Sequence, residues 1–267
     1  MLQNSLLQIQ NLRLNYGSIC IGTNISLSLN KGDVLGIAGE SGCGKSTLLK
    51  SIIDPVEYGI RMSDGFIKYK GKDMSEFSCA QRREMKGTEI GIVLQNPYTT
   101  FNPIRPYRKQ FAETLKSHKL WHGKASIGEI LDLFNKLGLP DGKRILSSCP
   151  YEMSGGMNQR ISIALSMILQ PSLLLADEPT GALDVTSQSQ VVEQLWRLRD
   201  ITDISMIIVS HNLSLIARIC DKIAIMYGGR IVEYGDIKDV LLYPNHPYTR
   251  RLLKAIPKIH GGRGYYE

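Results

Sequence analysis

No Cys-x-x-Cys pair occurs in this sequence. Its five cysteines, Cys20, Cys43, Cys79, Cys149 and Cys220, are odd in number and widely spaced. That argues against a disulfide framework or a zinc site and fits a reducing compartment. Long hydrophobic runs are missing too. The uncharged stretch Ile161 to Ala176 is broken by Gln170-Pro171 and falls short of the ~18 apolar residues expected of a membrane span. The opening MLQNSLLQIQNLRLNY has neither a basic n-region nor a continuous apolar core, so it does not read as a signal peptide. The expectation is a soluble chain that reaches a membrane only through partners. No repeat, low-complexity tract or sustained heptad pattern stands out. Nor does a basic stripe with interleaved aromatics, the usual mark of direct nucleic-acid binding.

What is present is ordinary for a globular protein: 43% hydrophobic and 21% charged residues. A length of 267 residues suffices for one large α/β domain, with or without an insertion. The net charge of +7 permits an anionic partner. The basic residues are dispersed, however, with only short clusters such as Arg82-Arg83 and Arg250-Arg251. They read as a solvated basic surface, and no nucleic-acid partner is expected.

The chemistry is concentrated in GESGCGKST, from Gly39 to Thr47. The preceding Val34-Leu35-Gly36-Ile37-Ala38 reads as a buried strand. The residues after Lys45 read as a helix with Leu48, Leu49, Ile52 and Ile53 on one face. A strand–loop–helix of the form G-x-x-x-x-G-K-[ST] suits a phosphate. Phosphate oxygens must approach backbone N–H groups directly, which a Cβ would obstruct. The helix start adds unpaired N–H groups and a positive dipole end. The expected ATP-binding residues are Gly39, Glu40, Ser41, Gly42, Cys43, Gly44, Lys45, Ser46 and Thr47. Lys45 would reach the β/γ-phosphates, and Ser46 would bind Mg²⁺.

Hydrolysis also needs a carboxylate for the metal and a group that directs water. Leu173-Leu174-Leu175-Ala176-Asp177-Glu178 is an apolar strand ending in two acids. Asp177 is expected to hold Mg²⁺, and Glu178 to polarise the attacking water. Met206 to Ser210 is a further apolar strand, followed by His211, a candidate γ-phosphate sensor. Gln95 follows Ile90 to Leu94 in the same way, and its amide suits Mg²⁺ or the attacking water. Ligands of parallel α/β sheets gather outside the carboxyl ends of the strands. Alternating strands and helices from Val34 onward predict a largely parallel sheet. Within the helix-rich section before Asp177 lies Ser154-Gly155-Gly156-Met157-Asn158-Gln159-Arg160. Ser154 is a candidate N-cap, and the helix start behind it makes a second anion site.

The order of these motifs resembles the ATP-binding cassette (ABC) ATPase family. SGGMNQR looks like its signature motif, Gln95 its Q-loop, Gly181-Ala182-Leu183-Asp184 its D-loop and His211 its switch histidine. Tyr16 matches the aromatic position that stacks on adenine, although a core tyrosine reads equally well from sequence. The resemblance covers nearly the whole chain. It departs at Met157, where many relatives have glutamine, and at Met153, commonly leucine. Neither change removes the Ser-Gly-Gly backbone. The resemblance implies an α/β P-loop NTPase core with a parallel sheet, an antiparallel β subdomain and an inserted α-helical subdomain. The expected divisions are 1–95, 96–165, 166–240 and 241–267. It implies ATP and Mg²⁺ as cofactors, with Glu178, His211 and Gln95 catalytic and Ser46, Gln95 and Asp177 around the metal. Ser154, Gly155, Gly156 and Asp184 would contact nucleotide in trans, since one γ-phosphate cannot sit at both loops of one chain.

Two stretches narrow the branch. Gln95 to Pro103 resembles the extended Q-loop of the peptide/nickel importers, and Tyr243 to Leu253 resembles their C-terminal segment. The implied partners are a second, related ATPase chain, two transmembrane permease subunits and, indirectly, an extracytoplasmic binding protein. The implied place is the cytoplasmic face of the membrane. The short tail after Leu253 holds no cysteine, which tilts the expected cargo slightly from oligopeptides toward nickel or a metal chelate. The rival readings are a non-transport ABC ATPase acting on ribosomes or DNA, and a P-loop kinase. The first typically needs tandem cassettes or coiled coils, and the second leaves SGGMNQR and His211 unexplained.

Overall fold

The structure, a computed structural model, describes residues 5–255. Positions 256–267 of the expected C-terminal segment lie outside the described residues. Among the described residues the strands are β1 (Ser5–Tyr16), β2 (Ile19–Asn30), β3 (Val34–Ala38), β4 (Ile60–Tyr69), β5 (Lys72–Asp73), β6 (Ile90–Val93), β7 (Leu173–Asp177), β8 (Ser205–Val209), β9 (Lys222–Tyr227) and β10 (Arg230–Asp236). The helices are α1 (Lys45–Ile53), α2 (Cys79–Thr88), α3 (Tyr107–Ser117), α4 (Lys124–Lys136), α5 (Gly142–Ser147), α6 (Gly155–Met167), α7 (Val185–Ile201), α8 (Leu213–Ile219), α9 (Ile237–Leu242) and α10 (Pro247–Lys254).

Two sheets form. One is antiparallel, in the order β2-β1-β4-β5. The other runs β10-β9-β3-β8-β7-β6 and is parallel except for its edge strand β10. The strict alternation expected after Val34 is therefore interrupted. Strand β4 returns to β1 instead of joining the parallel sheet, and α1 is left between the two sheets. Its face of Leu48, Leu49, Ile52 and Ile53 is buried there, as its apolar spacing predicts.

The parallel strands read as unbroken apolar runs because both their faces are covered. Successive side chains point to opposite sides. Leu173 and Leu175 of β7 enter the core shared with α1 and the antiparallel sheet, while Leu174 and Ala176 enter the core under the helices. Strand β8 divides the same way, with Ile207 and Val209 on one side and Met206 and Ile208 on the other. The edge hairpin β9–β10 turns through Gly228-Gly229, whose φ values of +54° and +75° require residues that tolerate the left-handed region. Helices α3 to α6 lie between β6 and β7 in sequence and pack Tyr107, Phe111, Phe134 and Ile145 into the helical core. Among the described residues, no helix is long and apolar enough to cross a membrane.

Candidate nucleotide site

The ends of β3, β8, β7 and β6 lie side by side. Ile37 pairs with Val209, Val209 with Asp177, and Ala176 with Val93. The ladder continues one step further, with Ser210 N donating to Ile37 O at 3.1 Å and Glu178 N to Val209 O at 2.9 Å. Register alone thus brings Gly39, Gln95, Asp177, Glu178 and His211 to one edge of the sheet, where a ligand crevice forms.

The loop Gly39–Thr47 leaves β3 and enters α1. Gly39 is buried against the carbonyl of Met226 at the end of β9. A Cβ there would overlap that oxygen and stand 2.9 Å from Cys43 Sγ. Gly44 has φ +105° and precedes α1 without offering a side-chain cap. The first N–H groups of the helix therefore remain available to an anion. Lys45 is only 5% exposed, and its Nζ donates to Gly39 O and Glu40 O at 2.8 Å each. Among the described residues this buried ammonium makes no ion pair, and a phosphate would supply a close countercharge. Burial pushes the Cys43 thiol up, against the opposing pull of nearby Lys45. Cys43 therefore sits in the loop as a neutral side chain.

Ser46 Oγ donates to Asp177 Oδ1 at 2.8 Å, joining the phosphate loop to the end of β7. Burial is the main influence on Asp177 and raises its pKa, while the Ser46 hydrogen bond works the other way. A hydroxyl and a carboxylate are hard oxygen donors of the kind Mg²⁺ prefers. Glu178 has φ +49°, unusual for a residue with a side chain. Strain of this kind is retained where it aims a side chain. His211 Nδ1 lies 2.6 Å from Glu178 Oε2. His211 thus stands directly against the Glu178 carboxylate, which is itself only 13% exposed. His211 itself is 64% exposed. The position of a Cβ on Gly181 would lie 3.3 Å from Gln95 Nε2 and 3.5 Å from Glu178 Cβ, so Gln95 and Glu178 flank the same turn. No hydrogen bond among the described residues joins Gln95 to Ser46 or Asp177.

Ser154 caps α6, its side chain accepting from Met157 N at 3.2 Å. Among the described residues no hydrogen bond connects Ser154, Gly155 or Gly156 to residues 39–47. Asp184 caps α7 by accepting from Ser187 N at 3.0 Å and Ser187 Oγ at 2.7 Å. Hydrogen bonds from Ser187 hold its carboxyl below the usual range. Tyr16 ends β1 at 58% exposure, so the core alternative does not hold and its ring is open to a flat partner.

Sequence reasoning missed Asn158. Its Nδ2 donates to Pro150 O at 2.9 Å and to Met153 O and Ser154 O at 3.2 Å, while Oδ1 accepts from Tyr107. It also left Gln159 without a role, although Gln159 Nε2 donates to Leu94 O at 3.1 Å, one residue before Gln95. Both amides are fully buried, which obliges them to find partners, but burial leaves no local mark in the sequence.

Residues 23–181 match the family described as ABC transporter, and residues 232–267 match the one described as oligopeptide/dipeptide transporter, C-terminal region. The chain is 38% identical over 258 residues to the dipeptide transport ATP-binding protein DppD of Bacillus subtilis (strain 168), covering 95% of this chain and 77% of that protein. It is 39% identical over 241 residues to the oligopeptide transport ATP-binding protein AmiE of Streptococcus pneumoniae, covering 90% of this chain and 68% of that one. Among solved structures it resembles CbiO1 of Clostridium perfringens, with a TM-score of 0.78 over 90% of this chain and 92% of that chain, at 23% identity. That last likeness is one of fold. With a glycine loop, two strand-end acids and a capped Ser-Gly-Gly helix on such a fold, the chain belongs to the ABC transporter family, among the ATP-binding proteins that carry the oligopeptide/dipeptide C-terminal region.

Proposed function

We propose that this chain is the ATP-hydrolysing subunit of an importer for dipeptides or oligopeptides. The observation that carries the catalytic part is the 2.8 Å hydrogen bond from Ser46 to Asp177. It sets a phosphate loop and a metal-type carboxylate face to face, with Glu178 and His211 alongside. Residues Gly39 to Thr47 bind the phosphates of ATP, and Tyr16 stacks on the base. Lys45 exchanges its loop carbonyls for phosphate oxygens. Ser46, Asp177 and Gln95 hold Mg²⁺. The metal supplies charge neutralisation on the phosphates. Glu178 orients or deprotonates the attacking water, with His211 held beside its carboxylate and reaching the γ-phosphate. Ser154, Gly155, Gly156 and Asp184 serve the nucleotide of a second ATPase chain. The lack of any hydrogen bond from Ser154–Gly156 to this chain's own phosphate loop supports that division.

The cargo reading rests on the relatives, whose names specify dipeptides or oligopeptides. The slight tilt toward nickel drawn from the cysteine-free tail finds no support among them. The remaining partners are two permease subunits and a binding protein on the far side, with this chain on the cytoplasmic face. The division 96–165 is supported by α3 to α6, although α6 runs on to Met167 across its boundary.

Uptake of labelled peptides and of nickel by cells with and without the gene tests the cargo. Loss of the gene should abolish di- or oligopeptide uptake and leave nickel uptake unchanged. The reverse pattern would replace the cargo while leaving the ATPase assignment intact.

A further inference from the structure

The C-terminal segment reaches into the phosphate loop. Tyr248, on the first turn of α10, is 2% exposed. Its hydroxyl accepts a hydrogen bond from Glu40 N at 2.9 Å, across 208 residues of sequence. The carbonyl of that same peptide unit, Gly39 O, accepts from Lys45 Nζ at 2.8 Å. One peptide group is therefore held on its N–H side by Tyr248 and on its C=O side by the lysine of the phosphate loop. Hydrogen bonds in series through one amide polarise and strengthen each other.

Several contacts fix the tyrosine. Its ring lies on Tyr227, with centroids 4.2 Å apart and planes 31° from parallel. Tyr227 follows Met226, whose carbonyl presses against Gly39. The Arg251 guanidinium lies 5.7 Å from the Tyr248 ring centroid. Glu233 on β10 accepts from Asn245 N at 2.7 Å and His246 N at 3.1 Å, holding the turn that leads into α10. Tyr248 N donates in turn to His246 Nδ1 at 3.2 Å.

We propose that Tyr248 is a positioning residue of the nucleotide site. Through Glu40 N–H it sets the first peptide of the phosphate loop, and with it the resting place of Lys45. The C-terminal segment thereby tunes the affinity for ATP. A loop already held in one conformation gives up less freedom when the phosphates arrive. The inference rests on the reading of residues 39–47 as the phosphate cradle.

Equilibrium titration of the full-length chain with ATP tests it. Tyr248→Phe keeps the ring and its stacking but removes the acceptor for Glu40 N–H. ATP affinity should fall by about three- to tenfold, the usual effect of one such hydrogen bond. Loss of the acceptor should lower the thermal midpoint by only a few degrees, and hydrogen exchange at the Glu40 amide should be faster. Tyr227→Phe removes a hydroxyl that makes no hydrogen bond among the described residues, and it should leave affinity as it was. Lys45→Ala should weaken binding by more than about tenfold, since it removes a charge-assisted contact. Wild-type affinity in Tyr248→Phe together with weakened binding in Lys45→Ala overturns the positioning role alone. Wild-type affinity in both overturns the phosphate-cradle reading as well. An equal loss of affinity in Tyr227→Phe makes the tyrosine a packing residue and overturns the proposal.

Discussion

Asp177 is a carboxylate held where water is scarce, with a pKa raised above the ordinary 3.8 chiefly by burial. A carboxyl group that binds its proton more tightly in the folded than in the unfolded chain makes ionisation oppose folding. That penalty is absent below 3.8, grows as the pH rises through the folded value and is complete above it. Asp177→Asn keeps an oxygen for Ser46 and removes the charge. The ligand-free variant should be more stable than wild type at neutral pH in urea unfolding, with the advantage vanishing in acid. Its ATP turnover in the assembled transporter should fall by about 100-fold or more, because the proposed metal ligand is lost. Equal stability at neutral pH would contradict the account. Glu178 makes the complementary case, since its left-handed φ sets its carboxylate against His211. Glu178→Gln should leave ATP binding intact and lower turnover by about two to four orders of magnitude, as loss of a general base does. Near-normal turnover would remove Glu178 from the chemistry.

At the level of elements, the junction of α6 and α7 decides how the Ser-Gly-Gly turn is presented. A Cβ on Gly156 would stand 2.6 Å from Ser187 Cβ. Ser187 cannot turn aside freely, because its Oγ donates to Asp184, the cap of α7. Gly156→Ala should therefore cost about 1–3 kcal/mol of stability through overpacking. Adding Ser187→Gly should recover part of that loss, so a double-mutant cycle by denaturant unfolding should show favourable coupling. Strict additivity would mean that the helices separate elsewhere. Only half of this junction was legible in the sequence. The N-cap at Ser154 is local, within three residues of what it binds, whereas Asp184 was read only through the D-loop resemblance and not as a cap. The contact of Gly156 with Ser187 spans two helices and has no local signature.

For the whole molecule, one chain carries a complete phosphate loop and a Ser-Gly-Gly turn that does not bond to it. Gly155 has open surroundings, with Tyr98 Oη 3.6 Å and Leu183 Cδ2 3.8 Å from the position of a Cβ. Gly155→Trp should therefore fold, bind ATP at its own loop normally, and block close approach of a second chain's nucleotide. When it is mixed with a wild-type partner chain, hydrolysis should drop at the partner's loop. Loss of ATP binding by the isolated variant would show instead that the turn acts within its own chain.

Local chemistry was legible from the residues alone: the glycine loop with its lysine, the apolar runs that end in Gln95, Asp177 and His211, and the cap at Ser154. Each depends on residues within a few positions of one another, so composition and spacing suffice to find it. Which distant groups meet depends on the folded arrangement. Strand order β3-β8-β7-β6 put the four loop ends together. It sent β4 back to β1, exposed Tyr16, and brought Asn158 under the signature turn and Tyr248 to Glu40 N–H. Tyr248 and Asn158 look unremarkable in the chain because their partners are backbone N–H and C=O groups. Every residue carries those groups, so no side-chain pattern in the sequence marks which of them a buried hydroxyl or amide will find.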